Sequence, residues 1–132
     1  MGNAILMLDS RHARFVAKSI GEYLNRQVEL VEMIHIARRL MTPGRYGAVI
    51  TDPMAFKDSK ADYADFLHEV KEHLPVVIYA ARDAREELGL VEAVHYNFYV
   101  PRVIGGGVVE PFKGLRDVLM IIEEAESRAV SA

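Results

Sequence analysis

The sequence predicts an α/β fold, a three-layer doubly wound structure in which a five-stranded parallel sheet lies between two layers of helices. Short apolar runs alternate with longer amphipathic segments from one end of the chain to the other. The short runs are apolar throughout, which is typical of parallel strands that are covered on both faces. With 132 residues, of which 51% are hydrophobic, the chain has the size and composition of one domain with its own core. We therefore expect a single domain over residues 1–132.

The first half of the chain opens with a strand followed by a helix. Residues 4–8 (AILML) form a continuous apolar run that ends at Asp9, and residues 11–24 carry apolar side chains at helical spacing. Ser10 is a candidate N-cap of that helix, because a serine hydroxyl can accept a hydrogen bond from a free N–H of the first turn. The elements predicted next are a strand at 28–31, a helix at 34–41, a strand at 48–50 and a helix at 61–73.

The second half of the chain continues the alternation. Residues 75–79 (PVVIY) predict the fourth strand, and residues 97–103 contain the fifth. A helix is predicted at 82–94, and the last helix, at 115–128, has apolar residues that follow the 3.6-residue period. Between the fifth strand and the last helix lie three consecutive glycines, Gly105, Gly106 and Gly107.

The composition excludes several classes of function. The 16 Lys and Arg residues are outnumbered by 19 Asp and Glu residues, a formal charge of −3, so no basic surface for nucleic acid is expected. The absence of cysteine excludes disulfides, thiolate metal sites and a cysteine nucleophile. No apolar run approaches the roughly 20 residues of a membrane span, and the first residues lack the basic start of a secretory signal. We therefore expect a cytoplasmic protein with neither nucleic-acid nor membrane partners.

Two acidic residues directly follow predicted strands. Asp9 comes after the first strand and Asp52 after the third. Because binding sites of doubly wound sheets lie at the carboxyl ends of the strands, we expect the two carboxylates to meet at that edge. A carboxylate pair suits Mg²⁺, and a carboxylate beside such a cation can attack a phosphoryl group. The simpler interpretation is that each aspartate only caps the turn that follows it.

Several segments, taken in order, resemble the receiver domain of two-component response regulators. They are AILMLDS at the first strand, ARRLMTPGRYGAVITDP at the third and YADFLHEVKEHLPVVIYAA at the fourth. The resemblance implies the flavodoxin-like sheet order 2-1-3-4-5. It also implies that Asp52 is the phospho-acceptor-like residue and that Tyr99 corresponds to an aromatic residue that changes rotamer on activation. Arg102 falls where the family has its strand-five lysine, and we prefer it to Glu110 because the latter lengthens the preceding connection.

Three positions around Asp52 depart from the family pattern. Ser10 stands where the family has a second acid that binds the metal, and Ala80 stands where a Ser or Thr hydrogen-bonds the phosphoryl group. Arg102 keeps a positive charge, but its planar fork is not equivalent to a compact ammonium group. These departures predict an impaired phosphorylation site, as in an atypical receiver or pseudo-receiver, with Asp9 and Asp52 as the remaining candidate ligands of Mg²⁺.

Two hypotheses of different class follow. The favoured one is a receiver-like signalling module, not an enzyme, that acts by protein–protein contact as a homodimer or with a protein such as a histidine kinase. The resemblance places the contact on the face formed by the fourth helix, the fifth strand and the last helix. A conventional response regulator phosphorylated on Asp52 in a phosphorelay is the nearest alternative. The other class is an anion- or small-molecule-binding domain that uses Arg102 and the glycines at 105–107, since glycine N–H groups before a helix favour negative charge.

Overall fold

The computed structural model describes residues 4–81, 96–102 and 112–131, and its framework is a sheet of five parallel strands. The strands are β1 (Ala4–Leu8), β2 (Val28–Val31), β3 (Tyr46–Thr51), β4 (Val76–Ala80) and β5 (Phe98–Pro101). Their order is β2-β1-β3-β4-β5, and each neighbouring pair is parallel. The predicted doubly wound sheet and its 2-1-3-4-5 order are therefore confirmed.

Helices cover the sheet in the described part of the chain. They are α1 (Arg14–Leu24), α2 (Ile34–Leu40), α3 (Lys60–Lys71) and α4 (Lys113–Ser131), with short 3-10 segments at Arg11–Ala13 and Pro53–Ser59. The helix predicted at 82–94, the glycines at 105–107 and Glu110 lie outside the described residues. Among the described helices, none is both long enough and apolar enough to cross a lipid bilayer.

The start of the first helical segment differs from the prediction. The segment opens with a 3-10 turn, in which the N–H of Ala13 donates to the carbonyl oxygen of Ser10 at 3.0 Å. The Ser10 side chain makes no cap hydrogen bond. Because the backbone carbonyl already satisfies an N–H of the first turn, the hydroxyl is not needed there. Ser10 is therefore the N-cap residue of this 3-10 turn, as predicted, but the hydrogen bond expected from its hydroxyl is not formed.

The core consists of two apolar layers, one on each face of the sheet. Along β1, Leu6 and Leu8 pack in the layer under α2 and α3, while Ile5 and Met7 pack in the layer under α1 and α4. This division follows from the strand geometry, in which successive side chains point to opposite faces. Burial on both faces explains why the strands are apolar throughout.

Candidate functional site

The candidate site is built at the carboxyl edge of the sheet, where β1 and β3 are neighbours. Leu8 is paired with Thr51 in the register of these two strands. The next residue along each strand is therefore an aspartate, and Asp9 and Asp52 lie side by side, as the sequence predicts. Arg102 directly follows β5, and its backbone N–H donates to the carbonyl oxygen of Ala80 at 2.8 Å. This bond fixes the point from which the arginine side chain leaves the sheet.

One guanidinium group binds both aspartates. Arg102 Nη2 donates to Asp9 Oδ2 at 2.8 Å, and Nη1 donates to Asp52 Oδ2 at 3.2 Å. The side chains of Arg102, Asp9 and Asp52 are 17%, 4% and 13% exposed, so the contact is largely shielded from water. Shielded, charge-assisted hydrogen bonds of this kind are stronger than neutral ones. Arg102 thus joins two residues that lie 93 and 50 positions before it.

The guanidinium of Arg102 packs against the face of the Tyr79 ring. The Cζ atom of Arg102 lies 4.6 Å from the centre of the Tyr79 ring, and Tyr79 is buried in β4. Contact with the ring face stabilises a cation. Burial raises the pKa of the Tyr79 hydroxyl, and the nearby Arg102 lowers it in part. Arg102 Nε is buried without a hydrogen-bond partner among the described residues, so the terminal nitrogens make the polar contacts of the group.

Each oxygen of the two carboxylates accepts an N–H. Besides the two bonds from Arg102, Asp9 Oδ1 accepts the N–H of Ser10 at 2.7 Å and Asp52 Oδ1 accepts that of Met54 at 3.0 Å. Burial raises the pKa of Asp52, and the charge of Asp9 raises it further, while the Met54 N–H and Arg102 lower it. Asp52 therefore caps the 3-10 segment that follows it, whereas Asp9 bonds the N–H of the adjacent residue and is not a helix cap. Both aspartates also contact Arg102.

The donor set does not fit Mg²⁺ while Arg102 holds this position. Mg²⁺ requires near-octahedral oxygen ligands and takes one or two carboxylates. Here the guanidinium engages an oxygen of Asp9 and an oxygen of Asp52, the two predicted metal ligands. The described residues contain no group of three or more Asp, Glu or His side chains that could hold a metal ion. Ser10, which offers only its backbone N–H to Asp9, does not supply a third carboxylate.

A buried hydroxyl pair fixes the strand ends that carry the acids. Thr51 Oγ1 donates to the carbonyl oxygen of Leu8 at 2.7 Å and lies 2.8 Å from the hydroxyl of Tyr63 in α3. The Tyr63 ring stacks on Phe56, with centroids 4.8 Å apart, and burial raises the pKa of the Tyr63 hydroxyl. Thr51, Tyr63 and Tyr79 were not identified as site residues from the sequence. The one available signal was a hydroxyl residue at the end of an otherwise apolar strand.

The remaining predicted site residues lie around β4. Ala80 is fully buried, and its methyl group offers no hydrogen bond. The Tyr99 hydroxyl donates to the carbonyl oxygens of Ala80 and Ala81 at 3.3 and 3.1 Å, so the partly buried side chain lies over the end of β4. The alternative prediction was an anion site built from Arg102 and the glycines at 105–107. Because Arg102 already binds both aspartates, the arrangement does not favour it as the anchor of such a site. The glycines lie outside the described residues.

Comparison with known proteins connects this fold to receiver domains. No protein-family model matches the sequence, and neither does any curated protein. Among solved structures, the receiver domain of HemR from Leptospira biflexa is 20% identical, with 92% of this chain and 91% of that chain covered and a TM-score of 0.57. A CheY-like receiver domain protein from Methanospirillum hungatei is 12% identical, with coverage of 97% and 99% and a TM-score of 0.62.

Two further solved structures are similar in fold. The receiver domain of a sensor histidine kinase from Pseudomonas aeruginosa, which has a magnesium ion in its active-site cleft, is 20% identical over 94% of this chain and 97% of that one, with a TM-score of 0.62. A streptococcal redox sensor, from a family that evolved from two-component response regulators, is 18% identical over 98% of this chain and 55% of that one, with a TM-score of 0.66. At these identities the comparisons show that the chain has the receiver fold.

Proposed function

We propose that this chain is a receiver-like signalling module of the two-component type that acts by protein–protein contact, with a degraded phosphorylation site around Asp52. The observation that carries the proposal is the guanidinium of Arg102 bound to both Asp9 and Asp52. The receiver fold of the solved structures supports the signalling class, and the side chains around Asp52 support the loss of phosphorylation.

Phosphoryl transfer to Asp52 requires a free carboxylate oxygen and cations or donors that stabilise the transferred group. Asp52 Oδ2 is bound by Arg102, and Oδ1 accepts the Met54 N–H. An incoming phosphoryl group would have to displace one of these donors. Ala80 offers no hydroxyl to receive it. Loss of a single such donor costs about 3–4 kcal/mol of transition-state stabilisation in well-studied enzymes.

Arg102 takes the role that a divalent cation would have at this edge. Two carboxylates side by side need a positive charge nearby, because like charges in a shielded site repel. Arg102 supplies that charge from within the chain, and Tyr79 holds it in place. We therefore propose that this module reaches its functional conformation without Mg²⁺, although a receiver domain of the same fold holds a magnesium ion in its active-site cleft.

The first experiment tests the phosphorylation site. The protein is incubated with MgCl₂ and acetyl phosphate, and its intact mass is measured beside that of an Asp52→Asn variant. We expect no stable phosphoryl addition to either protein. Ready addition to the unmodified protein, but not to Asp52→Asn, would restore the alternative of a conventional phosphorylated response regulator.

The second experiment tests protein contact through the last helix. Met120 and Ile121 on α4 are large apolar side chains that are each 53% exposed, which marks a candidate surface for a partner or a second copy. We expect the protein to sediment as a dimer at micromolar concentration and Ile121→Glu to dissociate it. Phe15→Glu is the matched control, because Phe15 is also a large exposed apolar residue, 81% exposed, but lies on α1 and not on the last helix. A strictly monomeric species would remove the homodimer from the proposal.

A further inference from the structure

The outer face at the start of α1 combines positive charge with an exposed aromatic ring. Phe15 is 81% exposed, the largest exposed fraction among the large apolar side chains that the structure describes. Arg11, Arg14 and Lys18 are exposed around it. Because residues three or four positions apart lie on one side of a helix, Phe15 has a basic residue one turn before it and another one turn after it. We call these four residues the α1 surface.

The ring of Phe15 is not part of the core. The inner face of α1 is formed by Ala17 and Ile20, which are buried, and by Val16, which packs partly against the same layer. Phe15 is not among the side chains of this layer. A single exposed apolar side chain is common on protein surfaces, so the ring gains meaning only from its basic surroundings.

The positive charge of the α1 surface has no direct counter-charge in the described part of the chain. Residues 10–21 contain no acid, although acidic residues outnumber basic ones in the whole sequence. None of the three cations forms an ion pair with another described residue. The acid before them, Asp9, is buried and bound to Arg102, and the acid after them, Glu22, forms no ion pair with the described residues.

These charges do not stabilise the helix that carries them. The N-terminal end of a helix carries a partial positive charge, so a basic residue in the first turn of α1, Arg14, is unfavourable there. Arg14 and Lys18 are also four residues apart, a spacing at which like charges on a helix repel. Arginine and aromatic side chains together are typical of protein–protein contacts, in which a partner's charges would remove both costs.

We propose that the α1 surface binds an acidic helix of a partner protein, in which carboxylates one turn apart flank an apolar side chain. The apolar side chain packs on Phe15, and the carboxylates pair with the cations around it. Arg14 and Lys18 are separated by about 6 Å along the axis of α1, close to one helical turn of the facing partner. The dimer contact proposed above lies on the last helix, so either contact can fail without the other.

An anionic membrane would offer the same negative charge, but the observations favour a protein. The α1 surface is a stripe along one helix, which a facing helix can match. A bilayer would also meet the rest of the chain, whose formal charge of −3 opposes approach to an anionic surface.

The test uses an amidated helical peptide of about 18 residues, made of Glu, Ala and Leu, in which each Leu has a Glu one turn before and one turn after it. Its counterpart has Lys in place of every Glu. Each is titrated into ¹⁵N-labelled protein, and amide shifts are followed by NMR. We expect saturable shifts at Arg14, Phe15 and Lys18 with the acidic peptide, and binding at least about tenfold weaker with the basic one.

Three results would overturn the proposal. Equal affinity for the two peptides would contradict the chemistry of the partner. Absence of saturable shifts with the acidic peptide at millimolar concentration, or shifts confined to other surfaces, would contradict the site. Sedimentation with phosphatidylserine vesicles but not with phosphatidylcholine vesicles, lost in Phe15→Ala, would replace the protein partner by a membrane.

Two pairs of variants separate the α1 surface from general effects of charge and apolar area. Phe15→Ala should weaken binding of the acidic peptide at least about fivefold, whereas Met33→Ala, at a residue 52% exposed before α2, should not. Arg14→Gln should weaken it about two- to fivefold, the range for an exposed ion pair. Arg39→Gln makes the same charge change at an exposed residue of α2 and should leave the affinity unchanged. Equal effects within either pair would refute a specific contact.

Stability distinguishes a binding role of Arg14 from a structural one. Because Arg14 faces the positive end of the helix and repels Lys18, Arg14→Gln should lower the equilibrium constant of unfolding about two- to fivefold. Urea unfolding of the variant measures this constant. An increase in the constant would show that Arg14 serves the fold, and the argument for a binding surface would fail.

Discussion

Replacement of Arg102 by methionine would leave two shielded carboxylates without their shared cation. A pair of unit charges about 4 Å apart attracts by about 4 kcal/mol at an effective dielectric constant of 20. The contacts of Arg102 with Asp9 and Asp52, at 2.8 and 3.2 Å, provide two such pairs. The cost of removing three charged groups from water offsets more than half of this attraction, and loss of one partner from such a set costs about 3–5 kcal/mol. We expect Arg102→Met to lower the free energy of unfolding by about 3 kcal/mol near neutral pH.

The pH dependence of this loss of stability provides a second, independent test of the role of Arg102. Burial raises the pKa of Asp52, and Arg102 opposes that rise. A carboxyl group whose pKa is raised on folding favours the folded state only while it is protonated, so stability decreases as the pH rises through the raised value. Without Arg102 the pKa of Asp52 rises further. The difference between Arg102→Met and the unmodified protein should therefore be largest near neutral pH and shrink as the pH falls and Asp52 becomes protonated.

Urea unfolding followed by far-UV circular dichroism measures both effects, since the chain contains no tryptophan. Lys113→Met is the control, because Lys113 forms an exposed ion pair with Asp117 on α4. Its loss should cost less than about 0.5 kcal/mol. If Arg102→Met costs no more than Lys113→Met, or if its cost increases as the pH falls, Arg102 does not neutralise the acid pair and the reasoning fails.

Two further predictions concern the ends of β3. Thr51→Val removes the hydroxyl that links the Leu8 carbonyl oxygen to Tyr63 and leaves both without this partner, so the free energy of unfolding in urea should fall by about 1–3 kcal/mol. Tyr63→Phe leaves the Thr51–Leu8 bond intact and should lower the free energy of unfolding by less. Equal losses for the two variants would contradict the shared hydrogen-bond network. At the other end, burial and the carboxylate of Glu29 raise the pKa of Tyr46 to about 12. Stability should therefore fall as the pH rises from 10 through about 12, and Tyr46→Phe should reduce that slope in unfolding measurements at several pH values.

The strands and the acid pair could be predicted from the sequence because their signals are local. Continuous apolar runs such as 4–8 identify buried strands without reference to the rest of the chain, and an aspartate directly after such a run must lie at the sheet edge. The order of the strands came from the resemblance to receiver domains. The periodicity of apolar residues does not contain this information, since it says nothing about which strands are neighbours.

The contacts that define the site depend on side-chain direction, which local patterns do not contain. The resemblance placed Arg102 at the end of the fifth strand, but not in contact with both acids at once. Tyr63 and Tyr79 fell within a predicted helix and a predicted strand and were given no role at the site, since an apolar pattern does not distinguish a ring that only fills space from one that supports a charge or a hydroxyl. The 3-10 turn after Ser10 was missed for a similar reason, because capping preferences do not separate it from an α-helical start.

The substitutions around Asp52 are consistent with one another under the proposed function. A site without a third carboxylate at Ser10 and without a hydroxyl at Ala80 has little with which to hold a metal ion or a phosphoryl group. The two remaining acids still need a positive charge, or their repulsion would destabilise the edge of the sheet. Arg102 supplies that charge whatever the concentration of metal or phosphodonor. The module would then present one constant surface, and any signal it carries would depend on when and where its protein partner is available.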